Sequence, residues 1–300
     1  MADHNTGYSD GSSPGWLDHG GPTVVRIVLG TQLRRLREAA RKTRQQAGEA
    51  IRASDAKISR LELGRVGVKR RDLEDLLTYY GVTDQQERAD LLGLVVRANV
   101  RGWWQTDGDL LPNWFENYLR LEQEAHYIRT FEAQLVPGLL QIEDYARNVI
   151  LAGLGIEPGS EVDRRVRLRM NRQKILTEST GPQFWAVLDE AALRRPFGSP
   201  EVMRDQLRHL LAMMELPNVT VQLLPFNAGS HTAVGGSFTV LRFAEPDLPD
   251  VVYLEQLNSA VYADKRSDVE RYLGVMEQVS VQALAPSRTK TAITKMIGRW

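Results

Sequence analysis

The chain has 300 residues, 42% hydrophobic and 25% charged, a size and composition that suit a globular protein of two domains. It contains no cysteine, which excludes disulfides and thiolate metal sites, and apolar runs such as LLGLVV at 91–96 are far too short to cross a bilayer. The net charge of zero conceals a sorting along the chain: residues 24–71 hold fourteen Lys/Arg against four Asp/Glu, a surplus of +10, whereas residues 1–23 carry −3 and residues 72–300 carry −7. A basic module of this kind sets up a local field that attracts phosphate.

Residues 1–23 are polar, acidic and Gly/Ser-rich, without the basic and apolar regions of a signal peptide, and read as a disordered tail. Residues 24–101 read as an all-α domain of about five helices. The first is expected over 29–41, with Leu29, Leu33 and Leu36 on one face. Thr43 caps a second over 44–51, Ser54 caps a third over 55–63, and Gly64 suits the end of the third. A fourth is expected over 70–80 and a fifth over 84–100, followed by a linker over 102–113 in which Trp103 and Trp104 would pack.

Residues 114–285 differ in kind. Helical patterns at 114–127, 142–151, 162–176, 200–215 and 267–282 are interspersed with strand-like runs at 184–188, 219–224, 237–243, 251–255 and 260–263. The last two runs flank Gln-Leu-Asn-Ser and form a hairpin in this reading. The expected architecture is an α+β domain with a largely antiparallel sheet. A helix over 286–300 follows, with Ile293, Met296, Ile297 and Trp300 on one stripe that suits packing on its own domain or on a second subunit.

The chemistry concentrates at 43–65. A helix-turn-helix needs two short helices held at a fixed angle by a few apolar contacts. Ala47 and Ile51 supply the first helix, Ala53, Ile58 and Leu61 the turn and the second, and Gly48 allows close approach. Asp55, Ala56, Lys57, Ser59 and Arg60 are left pointing outward, where the N-terminal part of a recognition helix reads base edges; Arg60 could instead pair within the domain. Arg44, Gln45 and Ser54 at the helix starts, and Arg65, Lys69 and Arg70 beyond the second helix, are placed to meet phosphates. One recognition helix covers only a few base pairs, so a homodimer on a two-fold site of double-stranded DNA is expected.

The run TRQQAGEAIRASDAKISRLELGRVGVKRRDLEDLLTYYGV at 43–82 resembles the helix-turn-helix domains of the xenobiotic-response-element-like regulators, in particular their actinobacterial branch. The shared core is Ser54, Ile58, Ser59, Arg60, Leu61, Glu62 and Gly64. Arg52 stands where a turn glycine is commonest, and Arg44 where Gln is frequent. The segments 114–147, 172–176, 187–210, 224–243 and 251–256 resemble the long C-terminal domain of Streptomyces-type antitoxin-like transcriptional regulators. The resemblance implies a cytoplasmic, nucleoid-associated, autoregulatory DNA-binding protein, with a small effector or toxin-like partner from a neighbouring gene.

Parts for catalysis are not in evidence. His126, His209 and His231 lack metal-ligand spacing, and no G-x-S-x-G elbow is present. Gly153-x-Gly155 follows a helix, the loop at 227–236 lacks G-K-[ST], and Asp189 and Glu190 face different directions. No enzyme, cofactor or metal is therefore expected. Three alternatives stay open: a C-terminal domain that senses a small molecule, a role for the 227–236 loop as lid or partner contact instead of a strand connection, and a phosphate- or partner-binding role for Arg164, Arg165, Arg167, Arg169, Arg172 and Lys174 instead of a solvated face.

Overall fold

The computed structural model describes residues 22–64, 66–98, 109–155, 157–244 and 248–300. They fall into two compact units, divided between residues 100 and 101. The tail expected over 1–23 lies outside the described residues as far as 21, and the linker expected over 102–113, with Trp103 and Trp104, lies outside them as far as 108.

The first unit holds α1 (Pro22–Ala39), α2 (Arg44–Ala50), α3 (Asp55–Glu62), α4 (Arg70–Tyr79) and α5 (Gln85–Ala98). Helix α1 begins well before the expected 29, because Val25 continues the Leu29–Leu33 stripe into the core. That core gathers Ala47 and Ile51 from α2 and its end, Ile58 and Leu61 from α3, Leu73, Leu76 and Leu77 from α4, and Leu94 and Val95 from α5. Burying each such side chain contributes roughly 1.5–3 kcal/mol, so the charged surface of this unit rests on an ordinary apolar interior.

The second unit runs α6 (Asn113–Glu124), β1 (Tyr127–Glu132), α7 (Glu143–Leu154), α8 (Ser160–Arg172), β2 (Gln183–Asp189), α9 (Glu190–Arg194), α10 (Pro200–Met213), β3 (Val219–Leu224), β4 (Phe238–Arg242), β5 (Val251–Glu255), β6 (Ala260–Ala263), α11 (Arg266–Gln282) and α12 (Pro286–Ile297). Six strands form one sheet in the order β3-β2-β1-β4-β5-β6. The sheet is mixed, which corrects the expectation of a largely antiparallel one: β1–β2 and β2–β3 are parallel, while β1–β4, β4–β5 and β5–β6 are antiparallel. The reason is the helical crossovers between β1, β2 and β3, of which β1, a central strand, was absent from the expected elements. Helices α7 and α8 connect β1 to β2, and α9 and α10 connect β2 to β3, and helical crossovers of that length return the chain in the same direction. The expected hairpin is present as β5–β6, closed by Gln256 N–H donating to Ser259 O at 2.9 Å.

One face of the sheet buries Phe131, Val187, Phe238, Val240 and Val252 against Val269, Met276 and Val279 of α11. The opposite face carries a polar row in which Thr130 and Thr239 share a hydrogen bond at 3.0 Å, and Tyr253 lies 4.1 Å, ring to ring, from Tyr118 of α6. Helix α12 packs on its own unit through buried Ile293 and Met296, and Thr289 Oγ1 accepts from Leu223 N–H of β3 at 3.1 Å.

Candidate nucleic-acid interface

Two caps define the helix-turn-helix. Thr43 Oγ1 accepts from Gln46 N–H at 3.2 Å while Gln46 Oε1 accepts from Thr43 N–H at 2.9 Å, a reciprocal box that starts α2. Ser54 Oγ accepts from Lys57 N–H at 3.2 Å and starts α3. Between the helices Ala53 N–H donates to Gly48 O at 2.8 Å. A Cβ on Gly48 would lie 2.6 Å from Ala53 O, so any larger residue there would push the turn off α2. Arg52 occupies the turn with φ +55°, the left-handed region that a β-carbon disfavours.

Ile58 and Leu61 anchor α3 in the core. Of the expected base-reading residues, Asp55, Ala56 and Arg60 are exposed, and Ser59 is half-buried. Lys57 is the exception to a free reading edge: its Nζ pairs with Asp72 Oδ2 of α4 at 2.9 Å. The ammonium keeps further N–H donors, but its position is fixed from behind.

The expected phosphate contacts divide. Lys69 is exposed, at the N-terminus of α4. Arg70, also exposed, pairs with Glu74 at 3.0 Å on its own helix, and Gln45 donates to Glu49 at 3.2 Å. Arg44 lies 3.6 Å from Glu62 Oε2 with its side chain 44% exposed, so it faces solvent and the interior together. The Ser54 hydroxyl is engaged as a cap acceptor and retains its own proton to donate. Arg65 lies outside the described residues.

The fold of the unit depends on a contact that spacing does not reveal. Glu62, at the end of α3, is buried and accepts from Arg37 Nε at 2.5 Å and Arg37 Nη2 at 3.1 Å. Arg37 Nη1 also donates to Lys42 O at 2.9 Å, tying α1, the α1–α2 connection and α3 together. The hydrogen bond to Glu62 raises the Arg37 guanidinium above its ordinary pKa. Gly30 completes the joint, since a Cβ there would lie 2.4 Å from Leu61 O. The sequence signal was a buried-side Glu inside the basic motif, with an Arg on α1 to receive it.

The basic run of the second unit is a solvated face only in part. Arg172 is buried and donates from Nη2 to Glu122 Oε1 at 2.6 Å and from Nε to Glu122 Oε2, while Tyr118 Oη donates to the same carboxylate at 2.7 Å. Burial alone would lower the Arg172 guanidinium, and Glu122 more than reverses this and raises it. Arg169 Nη1 donates to Gln141 Oε1 at 2.8 Å. Arg164 is bidentate to Asp109 at 2.6 and 2.9 Å, and Arg165 pairs with Glu161. Arg167 and Lys174 are exposed.

The loop at 227–236 is anchored by buried Ala233 and by His231, whose ring lies 5.5 Å from that of Phe131 and whose Nε2 is 3.9 Å from Asp189; Val234 at its tip is 88% exposed. Asp189 caps α9 by accepting from Ala191 N–H, and Glu190 accepts from Phe226 N–H. Among the described residues no cluster of three His, Cys, Asp or Glu could hold a metal, and no helix is long and apolar enough to cross a membrane.

Comparison with known families agrees with this division. Residues 28–91 match a helix-turn-helix domain, the fold of DNA-binding regulators, and residues 115–295 match a domain of unknown function (DUF5753). None of the curated proteins and none of the solved structures matches the chain. Because the second match spans more than half of the sequence, the chain belongs to the family defined by that domain (DUF5753), here with a helix-turn-helix domain before it.

Proposed function

We propose that the protein is a sequence-specific transcriptional regulator that binds double-stranded DNA as a homodimer in the cytoplasm, with α3 in the major groove. Its C-terminal domain takes a small protein partner in an antitoxin-like, autoregulatory circuit. The observation that carries the DNA-binding part is the outer edge of α3: Asp55, Ala56 and Arg60 are exposed, as is Lys69 at the start of α4, while Ile58, Leu61 and Glu62 lock the opposite side into the core. The alternative reading, a domain that senses a small molecule, is favoured by a cavity lined by β1, β2, β4 and α11.

Binding assays on cognate and scrambled duplexes test the interface. Lys57→Ala should relax preference at one base pair by about 1–3 kcal/mol. Lys69→Ala should weaken binding to all sequences alike and reduce the salt slope by about one. Equal losses on every duplex for both variants would refute the assignment of roles. Asp72→Asn, which releases Lys57, should blur the same base preference without altering the salt slope.

A further inference from the structure

On the α11 side of the sheet, Tyr127, Arg129, Trp185, Val240, Arg242 and Leu273 line a cavity of about 160 Å³. A void of about 150 Å³ holds one benzene molecule, so the volume matches a single six-membered ring. Its wall is rigid: Trp185 Nε1 donates to Gln222 Oε1 at 2.8 Å, and Gln222 Nε2 donates to Ser280 O and Leu284 O, each at 3.2 Å. Val240 is 2% exposed and supplies an apolar side.

The cavity is also lined by Arg129, one nitrogen of which has no hydrogen-bond partner among the described residues. The Arg129 guanidinium lies 4.7 Å from the centre of the Trp185 ring, and its Nε is buried with no hydrogen-bond partner. A guanidinium that is half-buried with a donor unpaired is under-solvated, and an anion in the cavity would offset that. The neighbouring Arg242 is already engaged, donating to Asp250 Oδ2 from Nε at 3.0 Å and from Nη2 at 2.8 Å. Burial holds Arg129 below its ordinary pKa, the like charge of Arg242 adds to this, and Glu277 of α11 opposes it. The lining itself carries two cations and no carboxylate, and Arg242 is already paired with Asp250, so one positive charge is left to meet one negative charge.

We propose that this cavity binds a small planar monocarboxylate, its carboxylate against the Arg129 guanidinium and its flat body along the wall that Trp185 and Val240 provide. The planar fork of Arg suits bidentate capture of a carboxylate. The site gives the small-molecule alternative a chemical class, and it rests on no property of the DNA-binding unit.

Calorimetry on the full chain tests it without DNA, so its failure leaves the DNA-binding reading untouched. Benzoate should bind, and benzamide, a neutral molecule of the same shape, should bind at least about tenfold more weakly. Phenyl phosphate should also be weaker than benzoate. Arg129→Met should lose the benzoate preference over benzamide while keeping the melting temperature, and Arg129→Lys should lose part of it. Absence of benzoate binding, equal affinity for benzoate and benzamide, tighter binding of phenyl phosphate, or a folded Arg129→Met with unchanged affinity would each overturn the proposal.

Discussion

Helices α3 and α8 are both amphipathic and both carry basic side chains, and they place those charges in opposite ways. On α3, Asp55, Ala56 and Arg60 stay exposed, and Lys57 alone of the outer edge is tied to another element, through Asp72. On α8, Arg172 turns inward to Glu122, Arg169 to Gln141, and Arg164 to Asp109, while Arg165 pairs along its own helix with Glu161. The density of arginine is higher on α8, yet α3 has the free edge. What differs is the position of the matching carboxylates: Glu62 and Asp72 lie behind α3 and leave Arg60 exposed, whereas Glu122, Asp109 and Glu161 meet Arg172, Arg164 and Arg165 of α8 directly and leave Arg167 exposed. A basic helix presents its charge to a ligand only when its own acids leave that charge unmatched.

The two helices share one device, a buried Arg–Glu pair, and truncating its acid should give the largest effect. Glu62→Ala leaves Arg37 buried and unpaired, and Glu122→Ala does the same to Arg172. Losing one partner of a buried pair costs about 3–5 kcal/mol. Denaturant unfolding should show a loss of that order in both variants, followed unit by unit because two domains need not unfold together. The contrast lies in function. Glu62→Ala should abolish specific DNA binding, since it uncouples α3 from α1, whereas Glu122→Ala should leave the first unit folded. If Glu122→Ala abolished DNA binding with the first unit intact, α8 would belong to the interface and the contrast would fail.

A second, smaller effect separates the units by pH. Burial pushes the half-buried Glu132 at the end of β1 up to about 7; a hydrogen bond with Ser237 opposes this and the charge of Glu255 adds to it. A folded-state value above the unfolded one means that the fold favours the protonated acid. Its contribution is therefore complete below the unfolded value of 4.5 and is lost as pH rises through about 7. The loss amounts to at most about 3 kcal/mol. Thermal unfolding of the second unit should show its stability falling between pH 5 and pH 7.5 (roughly the window set by the two values), and Glu132→Gln should flatten that fall. An unchanged slope in Glu132→Gln would assign the titration to another group.

Much of the first unit was legible because its signals are local. Thr43 and Ser54 cap within three residues, Gly48 and Ala53 meet across one turn, and the apolar spacing of α3 marks its inner face. In the second unit, α10 was equally plain from Ser199, Pro200 and the buried Met203, Leu207 and Leu210. Strand β1 was not. Its sequence, YIRTFE, alternates, but one face holds Ile128, Thr130 and Glu132 and the other holds Tyr127, Arg129 and Phe131, so neither reads as cleanly apolar. The helical pattern running up to 127 further hid its start. Missing that strand hid one parallel pairing, β1–β2; the other, β2–β3, follows from the helical crossover over 200–213 between two strands that were expected. The inward turn of α8 was hidden for a different reason: helical periodicity fixes a face, and the partner of Arg172 lies 50 residues away.

Arg52 offers the smallest effect and the finest test of the α3 edge. An L-residue in the left-handed region costs roughly 1–2 kcal/mol, and glycine, which avoids that cost, loses about 0.4–1 kcal/mol more in chain entropy on folding. Arg52→Gly should therefore stabilise the first unit by up to about 1 kcal/mol, a few degrees in melting temperature. Arg52 is also exposed, two residues before the Ser54 cap, so its charge stands beside the proposed reading edge. A variant that is more stable but binds DNA more weakly, with a shallower salt dependence, would mean that the strained turn is retained for a phosphate contact. A more stable variant with unchanged binding would leave the free edge of α3 beginning at Asp55. A less stable variant would show that contacts of the Arg52 side chain offset the strain, and the turn would then join Glu62 among the features that hold α3 from behind.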